Sequence, residues 1–241
     1  MYKLNSVLTR TFSDLLNSKD TRISDYKKIP IIINNRNRYT YLVQLIAWLE
    51  KAGYNNIYII DNDSTYRPLL EFYTQKKYTV FRLKENLGHQ ALWKSGIIKQ
   101  FRKDYYVYTD PDIVPVVECP DDVLGFFLQV LQKYRNIEKV GFGLKIDDLP
   151  DQYADKQKVI AWETPFWKNE VEKDVYNSGL DTTFALYRPY TNGALWVQNA
   201  YRTGGKYVAR HLPWYENSIA PTEENLFYKE HIKAGASHWI K

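Results

Sequence analysis

Cysteine is almost missing from this chain: Cys119 is the only one in 241 residues. An internal disulfide and a cysteine-based zinc cluster are thereby excluded, and the usage fits a reducing compartment. No apolar run approaches the roughly 20 residues of a membrane-spanning helix, and the N-terminus lacks the apolar stretch of a secretory signal. Dense Lys/Arg runs are missing too. With 33 basic and 28 acidic residues, the net charge of +5 is too dilute for a nucleic-acid binder. It favours small anionic partners such as nucleotides or polyphosphates, or an acidic lipid surface. Internal repeats and low-complexity segments are absent. A soluble cytoplasmic protein without a nucleic-acid partner is the expectation.

What the chain does have is aromatic side chains, 16% of the total, with 21 Tyr and 7 Trp. That content suits a core with wide layers and equally a surface that stacks on sugars or bases. The length allows one sizeable core. In the opening segment Leu4, Val7, Leu8, Phe12, Leu15 and Leu16 fall on one helical stripe, in a stretch rich in Lys and Arg. Residues 1–28 therefore read as an N-terminal helical extension. It either packs on the domain or on a second subunit, or lies on an anionic membrane surface as a peripheral contact. Packing is the simpler reading, since any packed helix shows such a stripe.

From residue 29 the pattern alternates. "IPIIIN", "NIYIID", "YTVFRL" and "DYYVYTD" are apolar runs of strand length, rich in β-branched and aromatic residues. Between them "YTYLVQLIAWLEKAGY", "RPLLEFYTQKK" and "HQALWKSGIIKQF" have helical spacing. Such alternation predicts an α/β fold with a mainly parallel central sheet flanked by helices. Every one of the four strands ends in polar residues: Asn34, Asn35 and Arg36; Asp61, Asn62 and Asp63; Asn86, Gly88 and His89; Asp110 and Asp112. Ligands of open α/β sheets bind beyond the carboxyl ends of the strands, so four such ends outline one site.

The fourth end is the most specific. In "YYVYTDPDIVP" an apolar strand delivers two carboxylates, Asp110 and Asp112, into the expected cleft. They could cap a turn, work as an acid/base pair, or hold a hard divalent cation such as Mg2+ or Mn2+. The neighbouring polar strand ends favour the cation. Taken in order, "IPIIINNRNR", "IYIIDNDS", "KENLGHQALWKSG" and "YVYTDPDIVP" resemble the nucleotide-sugar-binding half of GT-A-fold, DxD-containing glycosyltransferases, close to the family 2 type found in bacterial surface polysaccharide synthesis. The resemblance covers residues 29–115 well and 116–241 more loosely.

It implies a Rossmann-like GT-A domain that uses Mn2+ or Mg2+ to move a sugar from a nucleotide-sugar donor, of UDP type, to a hydroxyl of a glycan or lipid-linked acceptor. Residues 29–115 would form the nucleotide-sugar-binding half, and 116–241 the acceptor-binding and catalytic half of the same domain. Asn34, Asn35 and Arg36 would lie against the base, ribose or pyrophosphate, and Asp61 and Asn62 at the base or ribose. Asn86, Gly88 and His89 would approach the sugar-nucleotide. Asp110 would contact ribose and metal, Asp112 would ligate the metal, and His211, with His238 as competitor, would be a third ligand.

In the second half, "DDVLGFFLQVLQKY" reads as a helix and "KVGFGLKIDDLPD" as a strand. Glu163, flanked by Trp162 and Trp167, is either part of a sugar platform or of a core helix. An inverting transfer needs a carboxylate to take the acceptor proton, and Asp181, Glu163 and the Glu223–Glu224 pair are the candidates. Thr222 with Asn225 also reads as a plain capping box. Three rival readings stand beside the transferase: a nucleotidyltransferase, which would carry a Gly-rich basic loop where this chain has "NNRNR"; a glycan-binding module; and a partner subunit with an inactive transferase fold.

Overall fold

The computed structural model describes residues 25–181, 183–191 and 199–232. Most of the expected N-terminal extension, and His238, lie outside them; Tyr26–Lys28 form a 3-10 turn. The first half follows the alternation of the sequence. β1 (Ile31–Asn35), α1 (Tyr39–Lys51), β2 (Ile57–Asp61), α2 (Arg67–Tyr73) and β3 (Thr79–Arg82) come first. The one-turn helix α3 (Ala91–Lys94) and β4 (Tyr106–Thr109) follow. After them run β5 (Ile113–Pro115), α4 (Val123–Lys133), β6 (Lys139–Leu144) and α5 (Lys156–Glu163). β7 (Glu170–Glu172), β8 (Val175–Asn177), β9 (Ala185–Tyr187), β10 (Ala200–His211) and α6 (Glu223–His231) complete the described chain.

Among the described residues all ten strands join one sheet in the order β3-β2-β1-β4-β9-β6-β10-β8-β7, with β5 paired to β10. β1, β2, β3 and β4 run parallel, and β6 runs parallel to β10. The expected parallel sheet is thus present in the first half and becomes mixed in the second. There β9 lies antiparallel between β4 and β6, and the short strands β5, β7 and β8 are antiparallel additions.

Both faces of the sheet are covered, and β1 shows how. Ile31 and Ile33 enter one core with Leu42, Leu45 and Leu49 of α1 and Phe127 and Leu131 of α4. Ile32 points the other way, into a second core with Ile60, Leu92, Tyr106 and Tyr108. A strand buried on both faces must be apolar at consecutive positions, which is why β1 reads as an unbroken run of Ile. Each fully buried Leu or Ile of these layers contributes roughly 1.5–3 kcal/mol.

The helix expected over residues 89–101 is broken. Gly96 adopts φ 77°, and the Ser95 hydroxyl donates to the Ala91 carbonyl at 2.6 Å while accepting from the Ile97 N–H at 3.3 Å. A left-handed glycine ends a helix at low cost, so the segment becomes one α-turn between two 3-10 turns. Arg188 closes α4 from a distance. Its guanidinium donates to the carbonyls of Ile137, Leu131 and Tyr134, at 2.7 Å for the first.

Where β9 inserts, Gly141 of β6 faces Ala185. A Cβ there would lie 2.9 Å from the Ala185 Cβ and press on the Phe184 carbonyl. Gly141→Ala is expected to destabilise the fold by about 1–3 kcal/mol, read as a lowered urea midpoint with unchanged slope.

Candidate functional site

The polar strand ends separate into buried struts and accessible groups. Asn35 is fully buried and donates its amide to the Tyr73 hydroxyl at 3.0 Å. Asp61 is also fully buried; one oxygen accepts from the Ser64 N–H at 3.2 Å and the other from Arg82 Nε at 3.0 Å. Asn62 braces the loop after β3, accepting from Leu87 N–H at 2.8 Å and donating to the Gly88 carbonyl at 3.0 Å. The Asn34 amide reaches the same carbonyl at 3.4 Å, and Asn86 accepts from the Gly88 N–H at 2.9 Å. Asn37, at φ 55°, ties the first loop to the second by accepting from the N–H groups of Thr65 and Tyr66. These bonds fix the loops and leave Arg36, Asn86, His89 and Arg82 partly or well exposed.

The structure brings Asp112 and His211 together. Backbone pairing of β5 with β10 sets Ile113 opposite His211, and Leu212 N–H donates to the Asp112 carbonyl at 2.9 Å. Asp112 Oδ2 then lies 3.5 Å from His211 Nε2. Burial pushes the Asp112 carboxyl up, but the imidazole and the more distant Arg38 outweigh burial and hold it below its ordinary value. Thr109 donates its hydroxyl to the Asp110 carbonyl at 2.8 Å, and Asp110 and Asp112 both act electrostatically on the Tyr228 hydroxyl.

Arg38 is the part of this site that the sequence reading missed. Its side chain is 6% exposed, donates to Asn225 Oδ1 at 2.5 Å and lies 3.6 Å from the centre of the Tyr228 ring. Arg36 donates to the His231 carbonyl at 2.8 Å. Glu224, also on α6, accepts from both the N–H and the hydroxyl of Thr40, at 2.9 and 2.8 Å. It thereby serves the otherwise uncapped N-terminus of α1, and its charge suits the positive end of that helix. Within α6 itself Thr222 accepts from the Asn225 N–H at 3.3 Å, which is the capping-box reading.

Around these contacts several buried polar atoms have no partner among the described residues: Asn34 Oδ1, Arg36 Nε, Arg38 Nε, Asp112 Oδ1, His211 Nδ1 and Glu224 Oε1. Leaving such a group unpaired costs about 1–3 kcal/mol, so a concentration of them marks a place built for a polar ligand or water. Among the described residues no group of three His, Cys, Asp or Glu side chains is disposed to hold a metal ion. Of the expected ligands Asp110, Asp112 and His211, the latter two form the close pair.

Glu163 and Asp181 lie in different settings. Glu163 is buried and ion-paired with Arg202 at 2.6 Å; burial pushes its carboxyl up against the pull of Arg202. Arg202 also donates to the Gly179 carbonyl at 2.7 Å and lies over the Phe166 ring. Trp162 is largely exposed beside Phe166. Asp181 is exposed, and its charge acts on Glu163, on Lys139 and on the buried Tyr187, which Asp110 also influences. The buried Lys139 amine donates to the Leu180 carbonyl at 2.5 Å, and burial lowers it to about 8.

No family model matches the sequence, and no curated protein matches it. Solved structures similar to it include TarS 1–349 of S. aureus, at 15% identity and TM-score 0.40 over 67% of this chain and 47% of that one. Glucosyl-3-phosphoglycerate synthase of Mycobacterium tuberculosis with Mn2+ and UDP-glucose is 12% identical, with TM-score 0.42 over 75% of this chain and 60% of that one. A cytidylyltransferase of Leptospira borgpetersenii is 14% identical, with TM-score 0.35 over 57% and 71%. The chain thus spans about half the length of the TarS structure. These likenesses assign it neither a donor nor a reaction.

Lys139 gives a pH test of the region below Asp181. Its folded value of about 8 lies below the unfolded value of 10.5, so between them the unfolded chain holds a proton that the folded chain has released. Stability therefore rises with pH through that window and is reduced below it. The difference in unfolding free energy between wild type and Lys139→Met should change across pH 8 to 10.5 in that sense; a flat difference curve would contradict it.

Proposed function

We propose that this protein is a metal-dependent glycosyltransferase that binds a nucleoside-diphosphate sugar beyond the carboxyl ends of β1 to β4. The observation carrying this reading is the cluster of unpaired buried polar atoms around Arg38, Asp112 and His211. A diphosphate presents acceptor oxygens and negative charge, which Arg36 and Arg38 match with donors and positive charge. Nucleotidyl transfer is the lesser reading, because the loop after β1 is Arg36–Asn37–Arg38 and not a glycine-rich cradle.

A carboxylate oxygen and an imidazole nitrogen 3.5 Å apart fit neighbouring positions on a divalent ion. Asp112 and His211 would hold Mn2+ or Mg2+ there, with Asp110 beside them and substrate phosphates supplying further oxygens. Such an ion would neutralise the diphosphate as the bond between sugar and nucleotide breaks.

The transfer breaks the bond from the sugar C1 to the diphosphate oxygen and forms one from C1 to the acceptor oxygen; the acceptor proton needs a base. Of the four candidate carboxylates, Asp181, Glu163, Glu223 and Glu224, Glu223 is exposed and its neighbour Glu224 is the best placed. Thr40 fixes one of its oxygens, and the other is buried without a partner among the described residues. Glu163 is occupied by Arg202, and Asp181 is exposed. The UDP type of donor, and a growing surface glycan such as capsule or lipopolysaccharide as acceptor, follow from the sequence resemblance. Among the described residues no helix is long and apolar enough to cross a membrane.

Calorimetric titration with UDP and GDP, each with and without Mn2+, tests the donor site. Binding is expected to require Mn2+ and to weaken about a hundredfold or more in Asp112→Asn; metal-independent binding that survives the substitution would contradict the site. Glu224→Gln should lower kcat by about 10²–10⁴ while leaving donor KM nearly unchanged, if Glu224 is the base.

A further inference from the structure

The layer that covers the second core has an outer side with no task in the proposed transfer. It runs from α3 through the bend at Gly96 to Lys103. Ala91, Leu92 and Phe101 are buried beneath it, and Phe101 meets the Tyr58 ring edge-on at 4.9 Å. Lys94, Lys99, Arg102 and Lys103 are exposed, and Ile97 and Ile98 between them stay half-buried. The bend gathers these cations. Lys99 N–H donates to the Gly96 carbonyl at 3.1 Å, and the N–H groups of Phe101 and Arg102 both reach the Ile98 carbonyl, at 3.0 and 2.9 Å. The Lys99 stem lies back over Gly96, 4.0 Å from where a Cβ would sit. Tyr190, itself 39% exposed, adjoins them, its N–H donating to the Arg102 carbonyl at 2.7 Å.

Local carboxylates do not neutralise this face. Residues 86–103 contain neither Asp nor Glu. Among the described residues none of the four cations has an ion pair, whereas Lys133, Lys156 and Lys158 elsewhere on the surface each meet a carboxylate. Asp104, the next residue along, accepts from the Tyr105 N–H at 2.7 Å. The result is a compact cationic face with aliphatic and aromatic surface between its charges.

We infer that the face formed by Lys94, Lys99, Arg102, Lys103 and Tyr190 docks on an anionic lipid surface. The inference goes beyond the proposed transfer and does not depend on the donor site. Charge complementarity calls for an anionic partner, and the residue types choose which. Three of the four cations are Lys, a compact, strongly hydrated charge on a flexible stem. Lys is depleted in the cores of protein–protein interfaces, where Arg and rigid aromatic anchors dominate. A sheet of lipid headgroups asks for charge without fixed geometry, which Lys supplies. The Lys stems can lie along Ile97 and Ile98 while their heads reach the headgroups, and an exposed Tyr suits a boundary that is apolar on one side and wet on the other.

The test is co-sedimentation of the full chain with phosphatidylcholine vesicles, with and without about one third phosphatidylglycerol. Binding is expected only to the anionic vesicles and should fall steeply between about 0.1 M and 0.5 M salt. Each cation brought to such a surface strengthens binding roughly fivefold, so the combined variant Lys94→Gln, Lys99→Gln, Arg102→Gln, Lys103→Gln should lose about a hundredfold or more. Lys3→Gln, Arg10→Gln, Lys19→Gln, which removes the same kind of charge from the N-terminal stretch, should lose less. Thermal unfolding would check the fold of both. A second measurement needs no loss of charge at the other three positions: a polarity-sensitive fluorophore on Lys99→Cys, where the buried Cys119 does not compete for the label, should shift to the blue on anionic vesicles. Failure of the wild type to bind anionic vesicles, equal binding by the four-residue variant, or unchanged emission from the label would each overturn the inference. Retention on a soluble polyanion such as heparin without binding to vesicles would overturn the choice of lipid.

Discussion

A buried guanidinium organises this end of the molecule. Arg38 carries a full positive charge at 6% exposure, a state that costs several kcal/mol unless neighbours compensate. Compensation comes from distant parts of the chain. Asn225 accepts its hydrogen bond, the face of Tyr228 covers it, and the charges of Asp112 and Glu216 lie within its reach. The loop after β1, the carboxylates after β4 and the helix α6 are therefore interdependent. Removing the charge of Arg38 would loosen the docking of α6 and the setting of Asp112 together.

Burial divides the polar strand ends into two kinds of work. Asn35, Asn37, Asp61 and Asn62 are sealed, and each spends its hydrogen bonds on another loop or strand. They act as struts, and their rigidity helps the outer groups, which have few contacts of their own, to keep a fixed geometry. The outer groups, Arg36, Arg82, Asp112 and His211, retain donors or acceptors with no partner among the described residues. A site with this division is preorganised: the loops are ordered before any ligand arrives, so binding need not supply that order.

Much of this was legible in the residues because it is local. The Ile run of β1, the stripe of Leu42, Leu45 and Leu49, and Gly53 beyond α1 announce their elements by spacing alone. The pair Asp110 and Asp112 was visible for the same reason, as charge at the end of an apolar strand. What stayed hidden depends on contacts between distant residues. Arg38 looked like one more polar loop residue, since its partners Asn225 and Tyr228 lie on α6, nearly the whole chain away. The burial of Asp61 follows from Arg82 on the next strand, and the tie of Glu224 to Thr40 from the docking of α6. The antiparallel insertion of β9 has no local signature either, because "ALY" reads alike in both directions. The break after α3 was readable in Ser95–Gly96, and the apolar spacing around it masked it.

The most direct measurement is a crystal structure of the full chain grown with Mn2+ and a nucleoside diphosphate, with anomalous differences collected at the manganese edge. The account requires one anomalous peak in contact with both the Asp112 carboxylate and His211 Nε2, bridging to the phosphates, with the nucleoside running from there across the end of β1. A nucleotide bound elsewhere, or manganese bound away from Asp112 and His211, would contradict it.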